Sequence, residues 1–252
     1  MASALDVLAG GSMILWLGNV SAWWGLAIWF IGRLALWAAL LRLVYYPKEL
    51  KRVKHFGALA FFCFGLMFLM IFIDWAWAWR LLAAIFVLFP AAGFWLLPAD
   101  DLQLSFVAKS YRRWLFLTGA FGLAGMWGGF FALFTFQIIS RGWFWPMALL
   151  AAVAAAFLSR RWWRDYGLTV GRHLNEATAA MFIVSFEIAW ALWQWPLGFI
   201  AAGLLTVWLW YIIWLMLRFH LTSEGIVWRK QTFFFVFNFI LLALFFFIVS
   251  WR

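Results

Sequence analysis

Arg33 is the side chain whose type and position point most strongly to chemistry in this sequence. It lies near the middle of a long apolar run, residues 23–45. An arginine at the centre of a membrane-spanning helix costs at least ~2.5–3.5 kcal/mol, so it needs a charged partner or water. A charge inside the membrane is therefore the first candidate for a functional site.

Glu187 is the carboxylate that we expect to pair with Arg33. Counted from the tryptophan-rich turns at about 1.5 Å per residue, Arg33 lies roughly 15 Å deep and Glu187 roughly 9 Å deep. A long arginine side chain can cover this offset. We therefore predict a buried ion pair between Arg33 and Glu187, which either fixes helix packing or handles a substrate or a proton.

Residues that could bind a metal or a cofactor are few. His55, His173 and His220 each fall at a predicted helix end, and no two of them have the i, i+4 spacing of a helical metal site. We expect them to be solvated. The single cysteine, Cys63, cannot form an intramolecular disulfide, and we expect it to be a small apolar residue. We expect neither a metal nor a cofactor.

The sequence contains no recognisable catalytic motif. It has no glycine-rich phosphate-binding loop, no nucleophile elbow and no metalloprotease pair of histidines. We therefore expect no catalytic residues and favour a protein that is not an enzyme. For the alternative of an intramembrane enzyme acting on lipid, the available acids, bases and ligands lie in the loops: Asp100, Asp101, Asp165, His173, Glu176 and His220.

Composition places these residues in a membrane protein. The chain is 69% hydrophobic and only 11% charged over 252 residues, whereas soluble domains are about half apolar and about a quarter charged. A soluble chain of this length could not hide so much apolar surface. The excess must face lipid. The 23 Trp residues should mark segment ends, because indole favours the membrane–water boundary.

Nine apolar segments are long enough to be candidate spanning helices, which need ~17–25 residues. We predict an all-α, polytopic helical bundle that forms a single multi-pass transmembrane domain over residues 1–252. The first segment is short and contains Asp6, so the count falls to eight if it does not span. The predicted segments are residues 2–18, 23–45, 56–73, 79–97, 114–139, 143–158, 177–193, 196–219 and 232–251.

Two kinds of connection alternate along the chain, tight tryptophan-rich turns and longer basic segments. Of the 19 Lys and Arg residues, all but Arg33, Arg80, Arg141 and Arg252 lie on the basic side. The positive-inside rule therefore places the basic connections in the cytoplasm. With nine spans the N-terminus is inside and the C-terminus outside. No signal peptide is evident. We expect the protein to lie in a plasma membrane, namely the inner membrane of a bacterium.

The basic connections also contain aromatic residues. We expect one such segment to contact anionic lipid headgroups on the cytoplasmic face, since each basic residue near that surface contributes ~1 kcal/mol. No connection is long enough to form a nucleic-acid-binding domain, so we expect no nucleic acid partner. The predicted headgroup contacts are Arg160, Arg161, Trp162, Trp163 and Arg164.

Small residues indicate where helices approach closely. Gly125 and Gly129 in the fifth segment form a small-xxx-small pair, which is typical of a helix-packing face. The sixth segment is rich in alanine, and we expect these two segments to form a tight hairpin. Single amides inside apolar segments, Gln137 and Asn238, are expected to hydrogen-bond neighbouring helices.

Three function classes fit this pattern. A structural or assembly subunit of a membrane complex, or a homo-oligomer, fits the scarcity of buried ionisable groups. A transporter or flippase for a small molecule or lipid fits the helix number and the pair Arg33 and Glu187, with Pro90 as a candidate helix break. An intramembrane lipid-modifying enzyme is the third class. We favour the first.

Overall fold

A computed structural model describes residues 2–17, 23–44, 49–96, 105–168, 172–222, 225–226 and 228–248. Every regular element within these ranges is helical, so the predicted all-α fold is confirmed. The helices are α1 (Ala2–Leu17), α2 (Trp23–Val44), α3 (Glu49–Met70), α4 (Ala76–Trp95), α5 (Ser105–Thr135), a 3₁₀ turn η1 (Arg141–Trp143), α6 (Phe144–Asp165), α7 (Arg172–Gln194), α8 (Phe199–His220) and α9 (Trp228–Ile248).

Seven of these helices, α3 to α9, are long and apolar enough to cross a membrane over the described residues. A crossing needs ~20 apolar residues. α1 has 16 residues and is shorter than such a crossing, whereas α2 has 22 residues and is long enough for one. The polytopic helical bundle is therefore established, and the expected count of nine crossings stays a prediction.

Several helices continue beyond the predicted apolar segments. α3, α5 and α6 each extend by several residues into the predicted basic connections. The reason is that a charge ends an apolar run without ending a helix, because Lys, Arg and Glu are good helix formers. At the other end, α5 stops at Thr135, and Gln137 takes a positive φ of 55° just beyond it.

The described residues form two compact units, Met1–Gly125 (unit 1) and Met126–Arg252 (unit 2), with the boundary inside α5. The single transmembrane domain expected over residues 1–252 stays a prediction. In unit 1, α1 packs chiefly on α4, while α2 and α3 pack on each other. The buried core of this unit includes Cys63, in agreement with its expected role as a small apolar residue.

Glycines bring α5 into backbone contact with α3. A Cβ atom built on Gly65 would lie 2.0 Å from the carbonyl oxygen of Gly122, and one built on Gly125 would lie 2.3 Å from Gly65 itself. Real Cβ atoms do not approach backbone this closely, so only glycine fits. Gly125 therefore lies where α5 touches α3 within unit 1, and the packing face expected for Gly125 and Gly129 together stays a prediction.

The rest of that glycine series belongs to unit 2. Gly129 is buried, and the neighbouring Gly128 meets Gly203 of α8, where an added Cβ would lie 2.6 Å from the Gly128 Cα. α6 packs along α7, and five of its alanines are buried, namely Ala148, Ala151, Ala152, Ala155 and Ala156. The predicted hairpin between the fifth and sixth segments has a different basis, since Phe130 and Phe134 of α5 contact Phe144 of α6.

Indole N–H groups fasten α6 to α8. Trp210 donates to the Ser159 hydroxyl oxygen at 3.1 Å, and Trp214 donates to the Ser159 carbonyl at 3.4 Å. Trp163 donates in return to the Trp214 carbonyl at 3.4 Å. These indoles are fully buried. Trp therefore marks segment ends only in part, as at the exposed Trp75, and elsewhere cross-links helices.

We expect Gly65→Ala to destabilise the protein strongly, because the new methyl group would meet the backbone of α5. The loss should be about 2 kcal/mol or more, in the range typical of overpacked cores. Gly32→Ala on α2 is the matched control, since nothing lies within 4 Å of its added Cβ. The unfolding midpoint of detergent-purified protein checks this, and equal midpoints for the two variants would contradict the close approach.

Candidate functional site

Arg33 lies fully buried inside unit 1, and a carboxylate lies beside it. Its Nη2 is 3.4 Å from Oδ1 of Asp6 on α1, which is also fully buried. Arg33 and Asp6 lie at similar distances from the adjacent ends of their helices. Arg33 is ~15 Å beyond the start of α2 and Asp6 is ~16 Å before the end of α1, at 1.5 Å per residue. The pair therefore joins the first two helices.

Trp37 holds the same carboxylate oxygen. It follows Arg33 by about one helical turn and donates its indole N–H to Oδ1 of Asp6 at 2.6 Å. The Arg33 guanidinium also lies over the Trp37 ring, with Cζ 4.7 Å from the ring centroid. A cation over an indole face is attracted by the ring quadrupole. One aromatic side chain thus contacts both charges of the pair.

Pro90 leaves a backbone carbonyl without its helical donor, and this carbonyl makes the third contact of Arg33. A proline inside a helix has no N–H, so the carbonyl four residues earlier loses its helical donor. Pro90 lies inside α4, and that carbonyl belongs to Phe86. Arg33 donates from Nη2 to this oxygen at 3.2 Å, and its Cζ lies 4.4 Å from the Phe86 ring centroid.

This arrangement changes the interpretation of Pro90. The sequence makes Pro90 a candidate helix break of the kind found in transporters. α4 continues through Pro90 as one helix from Ala76 to Trp95. The proline removes one backbone bond, and the guanidinium replaces it, which satisfies a carbonyl that could not otherwise be hydrated in this core.

Gly10 makes room for the arginine. A Cβ built on it would lie 2.9 Å from Nη2 of Arg33, whereas one on Gly11 would meet nothing within 4 Å. The guanidinium is thus enclosed by a glycine, two aromatic rings, a carboxylate and a carbonyl. Its charge and that of Asp6 offset each other, so the cluster has no net charge when both are ionised.

Three polar atoms of the cluster have no hydrogen-bond partner among the described residues. They are Oδ2 of Asp6 and Nε and Nη1 of Arg33. An acceptor and two donors left together in an apolar core could hold a small polar guest or exchange a proton. The cluster is thus either a structural lock with spare hydrogen-bonding capacity or a site for a proton.

Glu187, the predicted partner of Arg33, lies on α7 in unit 2 with an exposed side chain. Its pairing with Arg33 stays a prediction and is no longer needed to explain how the buried arginine is accommodated. Asp6 could have been found from the sequence, because it and Arg33 are equally far from the turn that joins the first two segments.

The histidines differ from one another. His173 and His220 are exposed, and His173 lies 3.3 Å from Glu176 in an i, i+3 pair. His55 is fully buried, so the expectation that it is solvated was wrong. Its Nδ1 is 2.9 Å from the Tyr111 hydroxyl, because α5 extends far enough to bring that tyrosine alongside α3.

The predicted headgroup segment is split by the helical geometry of α6. Trp162 and Trp163 are buried against α8, so they cannot reach lipid headgroups, contrary to our expectation. Arg164 is exposed, and Arg160 and Arg161 are partly exposed. Headgroup binding by these three arginines stays a prediction. The charged residues remain on the outside because a helix turns adjacent side chains about 100° apart.

Other sequence candidates fall in several places. Asn238 accepts a hydrogen bond from the Trp208 indole of α8 at 2.9 Å, which confirms the expected contact with a neighbouring helix. Gln137 is exposed beyond α5, so it does not lie inside a helix as expected. Asp100 and Asp101 lie outside the described residues. Within the described ranges, no group of three His, Cys, Asp or Glu residues could hold a metal ion.

The fold and this buried cluster define a class, that of polytopic α-helical membrane proteins with a charge pair enclosed between helices. No family model, no curated protein and no solved structure gives a significant match to the chain.

We expect Arg33→Met to destabilise the protein by about 3–5 kcal/mol, because it leaves the buried Asp6 carboxylate without its counter-charge. Adding Asp6→Asn should recover part of that loss, since the amide removes the charge and keeps an oxygen for the Trp37 N–H. The coupling energy, about 0.5–3 kcal/mol, is read from unfolding midpoints of the two single variants and the double variant. Arg80→Met, which removes an exposed arginine, is the control. Strictly additive losses would show that the two charges do not interact.

Proposed function

We propose that the protein is a structural or assembly subunit of a membrane complex. The observation that carries this proposal is the exposure of α9. Only 11% of the segment Gln231–Ile248 is buried, although it is the most apolar of the seven spanning candidates. Side chains such as Phe233 and Phe247 point away from the rest of the unit.

A groove on this face supports the contact with another helix. It has a volume of about 400 Å³ and is lined by α8 and α9 residues that include Ile212, Val236 and Phe239. Asn238 also lines it, with its amide already bonded to Trp208 and to the Phe234 carbonyl. Since α8 and α9 are thereby fixed together, the groove offers a stable shape. Its occupant in this proposal is a transmembrane helix of another subunit, whose side chains would fill it as ridges fill grooves.

The enclosed charge pair also supports a structural role. Arg33 and Asp6 are wholly buried. The guanidinium is held by Asp6 and by the rings of Trp37 and Phe86. A group that binds substrate must exchange contacts during its cycle. A lock that joins α1, α2 and α4 need not.

We expect the protein purified from native membranes in mild detergent to retain a stoichiometric protein partner. Val236→Trp should reduce the retained partner by about tenfold, because filling the groove costs at least ~1.4 kcal/mol of binding free energy. Phe247→Trp is the matched control on the same helix, since its side chain is 89% exposed and outside the groove.

Quantitative mass spectrometry of the purified complexes provides the measurement. A chain that purifies alone, or a partner retained equally by both variants, would contradict the proposal. A homodimer abolished by Val236→Trp would instead assign the groove to a second copy of this chain.

We further propose that the basic helix ends face the cytoplasm and the tryptophan-rich turns face outward in a plasma membrane. The distribution of Lys and Arg supports this orientation. Because Cys63 is buried, added cysteines can be labelled against a low background. An impermeant maleimide should label Ser140→Cys in intact cells and Arg164→Cys only after lysis. Labelling in the reverse order would invert the topology.

Proton-coupled transport is the second candidate, and the unpartnered atoms of Asp6 and Arg33 favour it. The double variant Asp6→Asn with Arg33→Met separates the two roles. If the pair carries protons, wild-type protein in vesicles should admit protons under an imposed potential and the folded double variant should not. Equal proton flux in wild type, double variant and empty vesicles would leave the pair a structural one.

A further inference from the structure

A cavity of about 330 Å³ lies in unit 2 at the end that carries the turn around η1. Three helix ends and η1 meet there: the last turns of α5 and α7 and the first turn of α8 contribute Thr135, Gln194 and Ala202. Its volume falls within the range of small-molecule sites, about 300–1,000 Å³. This cavity is separate from the groove on α8 and α9.

The walls of this cavity combine rings with polar groups. Phe134 and Trp193 provide aromatic surface, while Thr135, Gln194 and Arg141 provide hydrogen-bonding groups. Such a mixture suits a ligand that has a polar or charged end and an apolar part. The tryptophan-rich turns beside it, with exposed Trp143, are typical of the membrane–water boundary.

Arg141 carries the only charge among the described residues that line the cavity. It lies in η1 with its side chain exposed, and Asp165, the acidic residue of α6, is at the opposite end of that helix. α8 adds a weaker positive potential, because its N-cap Gly198 gives no side-chain cap to the first N–H groups. The cavity therefore favours an anion.

We propose that this cavity binds the phosphate ester group of an amphiphile. Guanidinium is the side chain that best matches phosphate, through charge-assisted hydrogen bonds in a planar fork. Arg141 holds the phosphate, Gln194 donates to a remaining oxygen, and Phe134 and Trp193 contact the first carbons of the attached chain. The depth of a helix end matches that of a lipid phosphate, so a phospholipid is the source that fits best.

The test is native mass spectrometry of the intact protein in detergent, titrated with phosphatidylglycerol in one arm and with glycerol 3-phosphate in the other. We expect saturable binding of one phosphatidylglycerol per chain at this cavity. Arg141→Gln should weaken it by about tenfold, the effect of losing one strong charge-assisted contact. Thr135→Trp should also weaken it, because the indole fills the cavity without changing the charge.

Arg80→Gln is the matched control, since it removes an exposed arginine beside another tryptophan-rich turn, outside this cavity. Equal losses for Arg80→Gln and Arg141→Gln would overturn the proposal, since they would indicate general attraction to charge. Binding that survives both Arg141→Gln and Thr135→Trp would also overturn it. Glycerol 3-phosphate bound as tightly as the lipid would support phosphate recognition and assign the site to a soluble ester, whereas binding of neither probe would refute it.

Discussion

A charge inside an apolar core must be neutralised by the protein itself, and unit 1 is arranged around this constraint. The ionised guanidinium of Arg33 is too costly to bury alone. Asp6 supplies the opposite charge, and Pro90 releases the Phe86 carbonyl that takes a further N–H. Three helices are thus positioned by one side chain. A proline that would normally weaken a helix becomes the source of a contact between helices.

Close backbone approach is the complementary principle, and it requires the absence of side chains. Between apolar helices in lipid, packing and hydrogen bonds replace the hydrophobic effect as the source of association. Gly65 and Gly125 allow α3 and α5 to touch, and Gly203 does so for α8. Where larger residues meet, as at Ser159 and Trp210, indole N–H groups supply the directional contacts. Both devices restrict how the helices can slide.

Much of the fold could be predicted from composition and apolar runs, because lipid demands helices of a given length. The helix ends could not be predicted in this way, since charged residues continue α5 and α6 beyond the apolar segments. The free-energy cost of a charge in an apolar helix is enough to identify Arg33 as unusual. Its partner depends on which helices are neighbours, and the apolar runs do not define this. The available clue was that Asp6 and Arg33 are equally far from the turn between the first two segments. The buried Trp163 likewise looked like a boundary residue until its neighbours on α8 were known.

The position of the charge pair along the chain has a consequence for biosynthesis. Asp6 and Arg33 are 27 residues apart, while the Phe86 carbonyl follows Arg33 by 53 residues. During translation the first two helices emerge together, long before α4. A hairpin of these two helices has its charges already matched, which lowers the cost of placing Arg33 among apolar groups. The fourth helix then meets a guanidinium held in place, and its carbonyl selects where it docks.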